Sequence, residues 1–223
     1  MLQKTTHSFD IGPIIEQVLT LNITERIPLN TSIDGDLFGG TYTTLPEFVN
    51  TPLGNVLAQL GEIGEARLLP LGSIESYHAH RDPDDRYHLS IITSPYSYLA
   101  NLEDNTLHHL PADGSVWLMD TSILHSAINL VGGARVHLNV RMKLPTYRGS
   151  GYKLTFKSDR YDWIQQFYIA ALGYVNKACK KGSISGIKKV SDNVLLLNCS
   201  MDVVTHIARE LSKVDILTVV ETL

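Results

Sequence analysis

Cysteine is scarce in this chain. Two residues in 223, Cys179 and Cys199, cannot build a disulfide framework, and their spacing fits no metal-binding pattern. Both are expected as small buried hydrophobes. Basic runs are also missing, and a formal net charge of −4 with a pI near 6.1 excludes a nucleic-acid binder that works by neutralising phosphates. No apolar stretch reaches the roughly 18 residues of a membrane span, and the opening MLQKTTHSFDIG has no apolar segment of a secretion signal. The expectation is a cytoplasmic protein with neither membrane nor nucleic acid as partner. What is present is ordinary: 43% hydrophobic and 19% charged residues argue for a packed core and against disorder. The length suits one large domain, or one domain with a modest appendage.

Residues 10–22 (DIGPIIEQVLTLN) predict a short helix, with Pro13 near its first turn and Ile14, Ile15, Val18 and Leu21 on the apolar face. A second helical region is expected over 45–62, split by Pro52 and Gly54. From Ala66 the texture changes to short β-rich runs (ARLLPL, RYHLSIIT, SVWLMD, ARVHLNVRMKL) separated by Gly, Pro, Asn and Asp, as in a sandwich or barrel. Residues 159–181 then predict a long helix, capped by Asp159 and rich in lysine at its end. The tail reads as strand VLLLNCS, helix MDVVTHIARELSKV and strand DILTVVE, a β-α-β unit. A boundary near Tyr147–Gly151 divides the chain into 1–148 and 149–223. No internal repeat or low-complexity segment is visible.

The chemistry concentrates in His80-Arg81-Asp82, His125 and Arg135, the last ten residues beyond His125. His-x-Asp puts an imidazole and a carboxylate on one face of a strand. A distant His completes a two-histidine, one-carboxylate facial triad, which leaves positions of an iron(II) ion open. Arg135 supplies a fixed cation able to grip a carboxylate of the co-substrate in a fork geometry. A rival assignment takes His78 and His80 as the ligands of a cupin, a related metal-binding barrel. A cupin needs Glu shortly after the second His, where only Asp84 or Asp85 stands, and it leaves Arg135 without a role. Any single His here is better read as a satisfied surface or core group; the combination carries the argument. His108 and His109 are expected in solvent, and His7 and His206 carry no assigned chemistry.

ARVHLNVRM alternates strictly. Ala134, Val136, Leu138, Val140 and Met142 form one face; Arg135, His137, Asn139 and Arg141 form the other. In most half-buried strands the polar face is wet. Here Arg135 must look inward to meet a ligand on the metal of His125, so the polar face is expected to line the barrel mouth and the apolar face to pack on helices. Arg86, His88 and Ser90 share a face in the same way, just after the carboxylate ligand.

From about Ala66 to Leu144 the sequence resembles the aspartyl/asparaginyl β-hydroxylase family, which includes bacterial proline hydroxylases. The resemblance rests on ARLLPLGSIESYHAHRD, RYHLSIITSP, VWLMDTSILHSAIN and GGARVHLNVR. It implies a mainly β, double-stranded β-helix (jelly-roll or cupin-like) core with N-terminal helices, followed by a small α/β appendage. It implies iron(II) held by His80, Asp82 and His125, with 2-oxoglutarate and O2 as co-substrates. It further implies that Arg135 holds the far carboxylate of 2-oxoglutarate, with Arg86 and His88 of the Arg-x-His run also on the co-substrate. The founding hydroxylases have Gly in place of the carboxylate ligand, so Asp82 places this chain nearer the branch acting on small substrates. The expected activity is a 2-oxoglutarate-dependent dioxygenase that hydroxylates a small polar molecule, an amino acid or a peptide side chain. The alternative is a cupin-like metal-containing binding or sensing module without turnover. The C-terminal unit is expected to cover the substrate entrance, to buttress the barrel or to form a homodimer contact, and to provide no iron ligand.

Overall fold

The computed structural model describes residues 2–130, 132–157, 172–191, 193–213 and 216–223. It is mainly β, built from several antiparallel sheets. Two short helices lie in the N-terminal part of the chain, before β5 (Ile63–Leu71). Helix α1 (Ile11–Thr20) starts at Asp10, whose Oδ1 accepts the Gly12 N–H at 3.2 Å. Helix α2 (Pro52–Leu60) starts at Thr51, whose Oγ1 accepts the Gly54 N–H at 3.2 Å. Pro52, expected to split a helix, instead opens one, because a first-turn residue has no intrahelical N–H bond to lose.

Six strands form the larger sheet, in the order β1 (Leu2–Ser8), β10 (Ser115–Met119), β7 (Arg86–Ile92), β12 (Arg135–Met142), β5 (Ile63–Leu71) and β2 (Ile27–Pro28). A second sheet runs β6 (Glu75–Ser76), β11 (His125–Asn129), β8 (Ser97–Asn101) and β9 (Thr106–His108). The pairing between residues 63 and 142 is nested: β5 with β12, β6 with β11, β7 with β10, and β8 with β9 innermost. A separate hairpin joins β3 (Asn30–Ser32) and β4 (Tyr42–Thr44). The edge strand β1 escapes sequence reading, because LQKTTHS has no apolar run; its place comes from its ladder with β10.

The alternation of β12 decides the core. Val136, Leu138 and Val140 pack with Leu68 and Leu89 against Ile14 and Val18 of α1 and Leu53 and Val56 of α2. Burying side chains of this size contributes about 1.5–3 kcal/mol each. The opposite face of β12 turns Arg135, His137 and Asn139 into a cavity between the sheets.

The C-terminal sheet has the order β14 (Ile184–Ser191), β15 (Val194–Cys199), β13 (Tyr152–Lys157), β16 (Leu217–Thr222), all antiparallel. Helix α4 (Met201–Ser212) connects β15 to β16, which both flank β13, so the expected β-α-β unit is present with a strand inserted between its two strands. Residues 172–180 form a helix, α3, followed by a turn at Lys181; residues 159–171 of the helix expected over 159–181 lie outside the described residues. Leu172 and Val175 of α3 join a second core with Leu154, Ile187, Leu197 and Val204. Among the described residues no helix is long and apolar enough to cross a membrane.

Candidate metal centre

His80 and His125 face each other across an isolated antiparallel bridge, with each N–H donating to the other's carbonyl at 2.9 Å. Asp82 does not share a strand with His80, contrary to the period-two expectation. It lies in an irregular segment, fixed by its own N–H donating to Thr121 O at 2.9 Å. The three residues still converge, with one donor atom from each lying within 4.8 Å of the others.

The protons are placed by the backbone. His80 Nδ1 lies 2.7 Å from His78 O, and His125 Nδ1 lies 2.9 Å from Ile123 O. A carbonyl can only accept, so each Nδ1 carries a hydrogen, and in the neutral ring each Nε2 keeps its lone pair. Those nitrogens stand 3.6 Å and 3.5 Å from Asp82 Oδ2, which is buried and has no hydrogen-bond partner. Three electron-pair donors aimed at one another without a proton between them repel unless a cation sits among them. The carbonyl contacts at Nδ1 are also the outer-shell support that metal-bound histidines receive. His80, Asp82 and His125 therefore fit a divalent metal ion.

The rival ligand set is not assembled. His78 is exposed and stands outside the cluster. Asp84 is taken by Arg141, whose Nε donates to Oδ2 at 2.5 Å, and Asp85 by Lys180 at 2.8 Å.

A cavity of about 750 Å³ opens beside the three residues. Burial favours the neutral form of Asp82, but Arg86, with Nη2 2.8 Å from Oδ1, and the two imidazoles outweigh it and hold the carboxyl well below the usual carboxylate range. Arg86 continues to Asp84 Oδ1 at 3.4 Å, Asp84 pairs with Arg141, and Arg141 reaches Glu65 at 3.8 Å. Burial would lower the Arg141 pKa, yet Asp84 raises it above that of a free guanidinium. Arg86, expected on the co-substrate, pairs with Asp82 and also lines the cavity. Arg141 serves this buried ionic chain and does not line the cavity. None of these partners could be read from spacing, since the chain links β5, β7, β12 and an irregular loop.

Arg135 is different. Its side chain is buried, and among the described residues no carboxylate pairs with it. Its Nη2 donates to His137 Nδ1 at 2.7 Å, and burial lowers its pKa to about 10. That hydrogen bond leaves the His137 proton on Nε2, which is buried without a partner. His88 mirrors the arrangement: Asn139 Nδ2 donates to its Nε2 at 3.2 Å, leaving Nδ1 without a partner. Burial, reinforced by Arg135, keeps both imidazoles well below their ordinary pKa. Among the described residues, the cavity thus holds a metal-type cluster, an Arg135 cation lacking a counter-ion and two N–H donors without acceptors.

No protein-family model matches the chain, and no curated protein matches its sequence. The functional reading rests on the residues themselves.

The remaining candidates fall elsewhere. His108 is half-buried with Nε2 2.9 Å from Thr106 Oγ1, whereas His109 is exposed, as expected of both, with Nδ1 3.0 Å from Ser97 O. His206 lies 2.9 Å from Arg209 and edge-on to Tyr174. Cys179 and Cys199 are free and half-buried, and burial raises their thiols to about 12 and about 11.

Proposed function

We propose that the protein is an iron(II)- and 2-oxoglutarate-dependent oxygenase that hydroxylates a small polar molecule or an amino-acid side chain, with succinate and CO2 as co-products. One observation carries the reading: a buried His-Asp-His cluster and the unpaired cation of Arg135 line the same cavity. Bound iron(II) would supply the oxidative chemistry that couples O2 to decarboxylation of the 2-oxo acid. His80, Asp82 and His125 would hold it and leave open positions for substrate chemistry. Arg135 would receive the far carboxylate of 2-oxoglutarate as a charge-assisted fork, with His137 and His88 offering neutral N–H donors on the same wall. Arg86 keeps Asp82 ionised, and the apolar lining from Leu69, Leu99 and Met119 limits water around the reacting groups.

Two further points support this reading. The nested pairing of eight strands across two sheets is what a double-stranded β-helix, a long hairpin rolled on itself, would give, and supports that reading of the fold. The segment from Ala66 to Leu144 resembles the aspartyl/asparaginyl β-hydroxylases in the motifs that contribute these same side chains. A cupin-like binding or sensing module would share the architecture, but it gives the uncompensated Arg135 no task.

The test is formation of succinate from 2-oxoglutarate by the iron-loaded protein in air, across a panel of free amino acids and small polar metabolites. Substrate-stimulated succinate release is the expected result. Failure of 2-oxoglutarate to bind the metal-loaded protein at all overturns the proposal.

A further inference from the structure

Asp82 has no strand to hold it, yet the metal cluster needs its carboxylate fixed to within a fraction of an ångström. The support comes from outside the two main sheets. Helix α3 lies across both ligand-bearing segments, 80–82 and the turn that leads into His125. Asn176, buried within α3, donates through Nδ2 to Asp85 Oδ1 at 3.1 Å and stands 3.4 Å from Asp82 O and 3.5 Å from Thr121 Oγ1. One turn on, Lys180 Nζ bridges Asp85 Oδ2 at 2.8 Å and Asp120 Oδ1 at 2.9 Å, joining the two segments through one ammonium. One turn back, the helix comes so close that a Cβ at Gly173 would lie 2.7 Å from Arg81 Cδ and 2.9 Å from Ser122 O. Arg81 itself donates to Ser122 O at 2.8 Å.

These contacts have one geometry in common: each touches the segment carrying Asp82, the segment 120–122, or both. The adjoining side of α3, Leu172 and Val175, is buried in the C-terminal core. The C-terminal unit thus reaches the metal cluster through the outer face of its backbone, while contributing no ligand among the described residues.

We propose that Asn176 is a positioning residue for the metal centre, acting on Asp82 together with Lys180, so that the C-terminal unit sets the metal affinity of a site it does not line. The inference rests on the assignment of His80, Asp82 and His125 as metal ligands. Removing outer-shell support of this kind typically costs about 10- to 100-fold in metal affinity. The experiment uses the full-length, metal-free protein titrated with Mn(II) alone and, separately, the absorption spectrum of the Co(II)-loaded protein. Asn176→Ala should weaken Mn(II) binding by about 10-fold or more and alter the Co(II) bands, which report ligand geometry. Lys180→Ala, altered at a partly exposed side chain, should fold normally and weaken binding in the same direction by a smaller factor. A melting temperature lowered in both variants, with Mn(II) affinity and Co(II) bands like wild type, would reduce α3 to a structural support and overturn the proposal. Should Asn176→Ala fail to fold, Lys180→Ala decides the matter by the same two readouts. Absence of Mn(II) binding in the wild type itself would overturn the ligand assignment and this inference with it.

Discussion

Arg86 Nη2 lies 2.8 Å from Asp82 Oδ1, so the carboxylate that faces the two imidazoles through Oδ2 is neutralised through its other oxygen. The pair explains how a buried Asp stays ionised, and it makes metal binding depend on pH through Arg86. Arg86→Gln removes the strongest charge that opposes burial at Asp82, so that carboxyl must rise. Protons then compete with metal, and the variant should lose more Mn(II) affinity at pH 5.5 than at pH 7.5. Calorimetric titration at both values checks this; an equal loss at both would show that Arg86 acts on the site by packing alone. Stability should also fall by about 3–5 kcal/mol, the usual cost of stripping one partner from a buried ion pair.

His80→Ala, Asp82→Ala and His125→Ala should each abolish divalent metal binding and leave the fold standing, since the three side chains line a cavity and take no part in the apolar core. His78→Ala should bind metal like wild type. The reverse pattern, metal lost with His78→Ala and kept with Asp82→Ala, would mean that the cupin ligand set is correct.

Arg135→Ala and Arg135→Lys should weaken 2-oxoglutarate binding to the metal-loaded protein without changing metal affinity. A charge-assisted hydrogen bond contributes about 1.5–3 kcal/mol, which corresponds to roughly 10- to 150-fold in Kd. Lys should not restore the loss, because one ammonium cannot copy a guanidinium fork. Unchanged 2-oxoglutarate affinity in Arg135→Ala would take away the main support for the oxygenase reading.

Acid should destabilise the metal-free protein through His88 and His137. Both have native pKa values depressed by burial, so below about pH 6.5 the unfolded chain takes up protons that the native state refuses. Stability is therefore unaffected by these groups above that pH and falls below it, by up to about 1.4 kcal/mol per pH unit for each. Urea denaturation at pH 7.5 and 5.5 measures the loss, and His137→Gln should make it smaller. An identical loss in His137→Gln would show that His137 protonates within the fold.

Local patterns carried a good part of this structure in the sequence. The alternation of β12 gave its buried polar face, because a strand between two strands and two layers has no wet side for Arg135 to choose. Residue type and order marked out His80, Asp82 and His125, although the strand imagined for Asp82 is an irregular loop. What could not be read is everything set by tertiary closure. Asp84 looks like any loop acid, and only the ladder that brings Arg86 opposite Arg141 makes it the centre of a buried ionic chain. Asn176 sits 94 residues from Asp82, in a helix whose periodicity reports only its apolar side.

The nested ladder also imposes an order of assembly on the chemistry. Loop closure costs more as the enclosed chain lengthens, so strand pairing is expected to spread outward from β8–β9, through β7–β10, to the bridge between His80 and His125, and last to β5–β12. His80, Asp82 and His125 meet one layer before Arg135 arrives on the outermost strand pair. On the proposed function, a chain folding in the presence of iron would load its metal before the dicarboxylate seat exists, and the two affinities would be acquired in sequence.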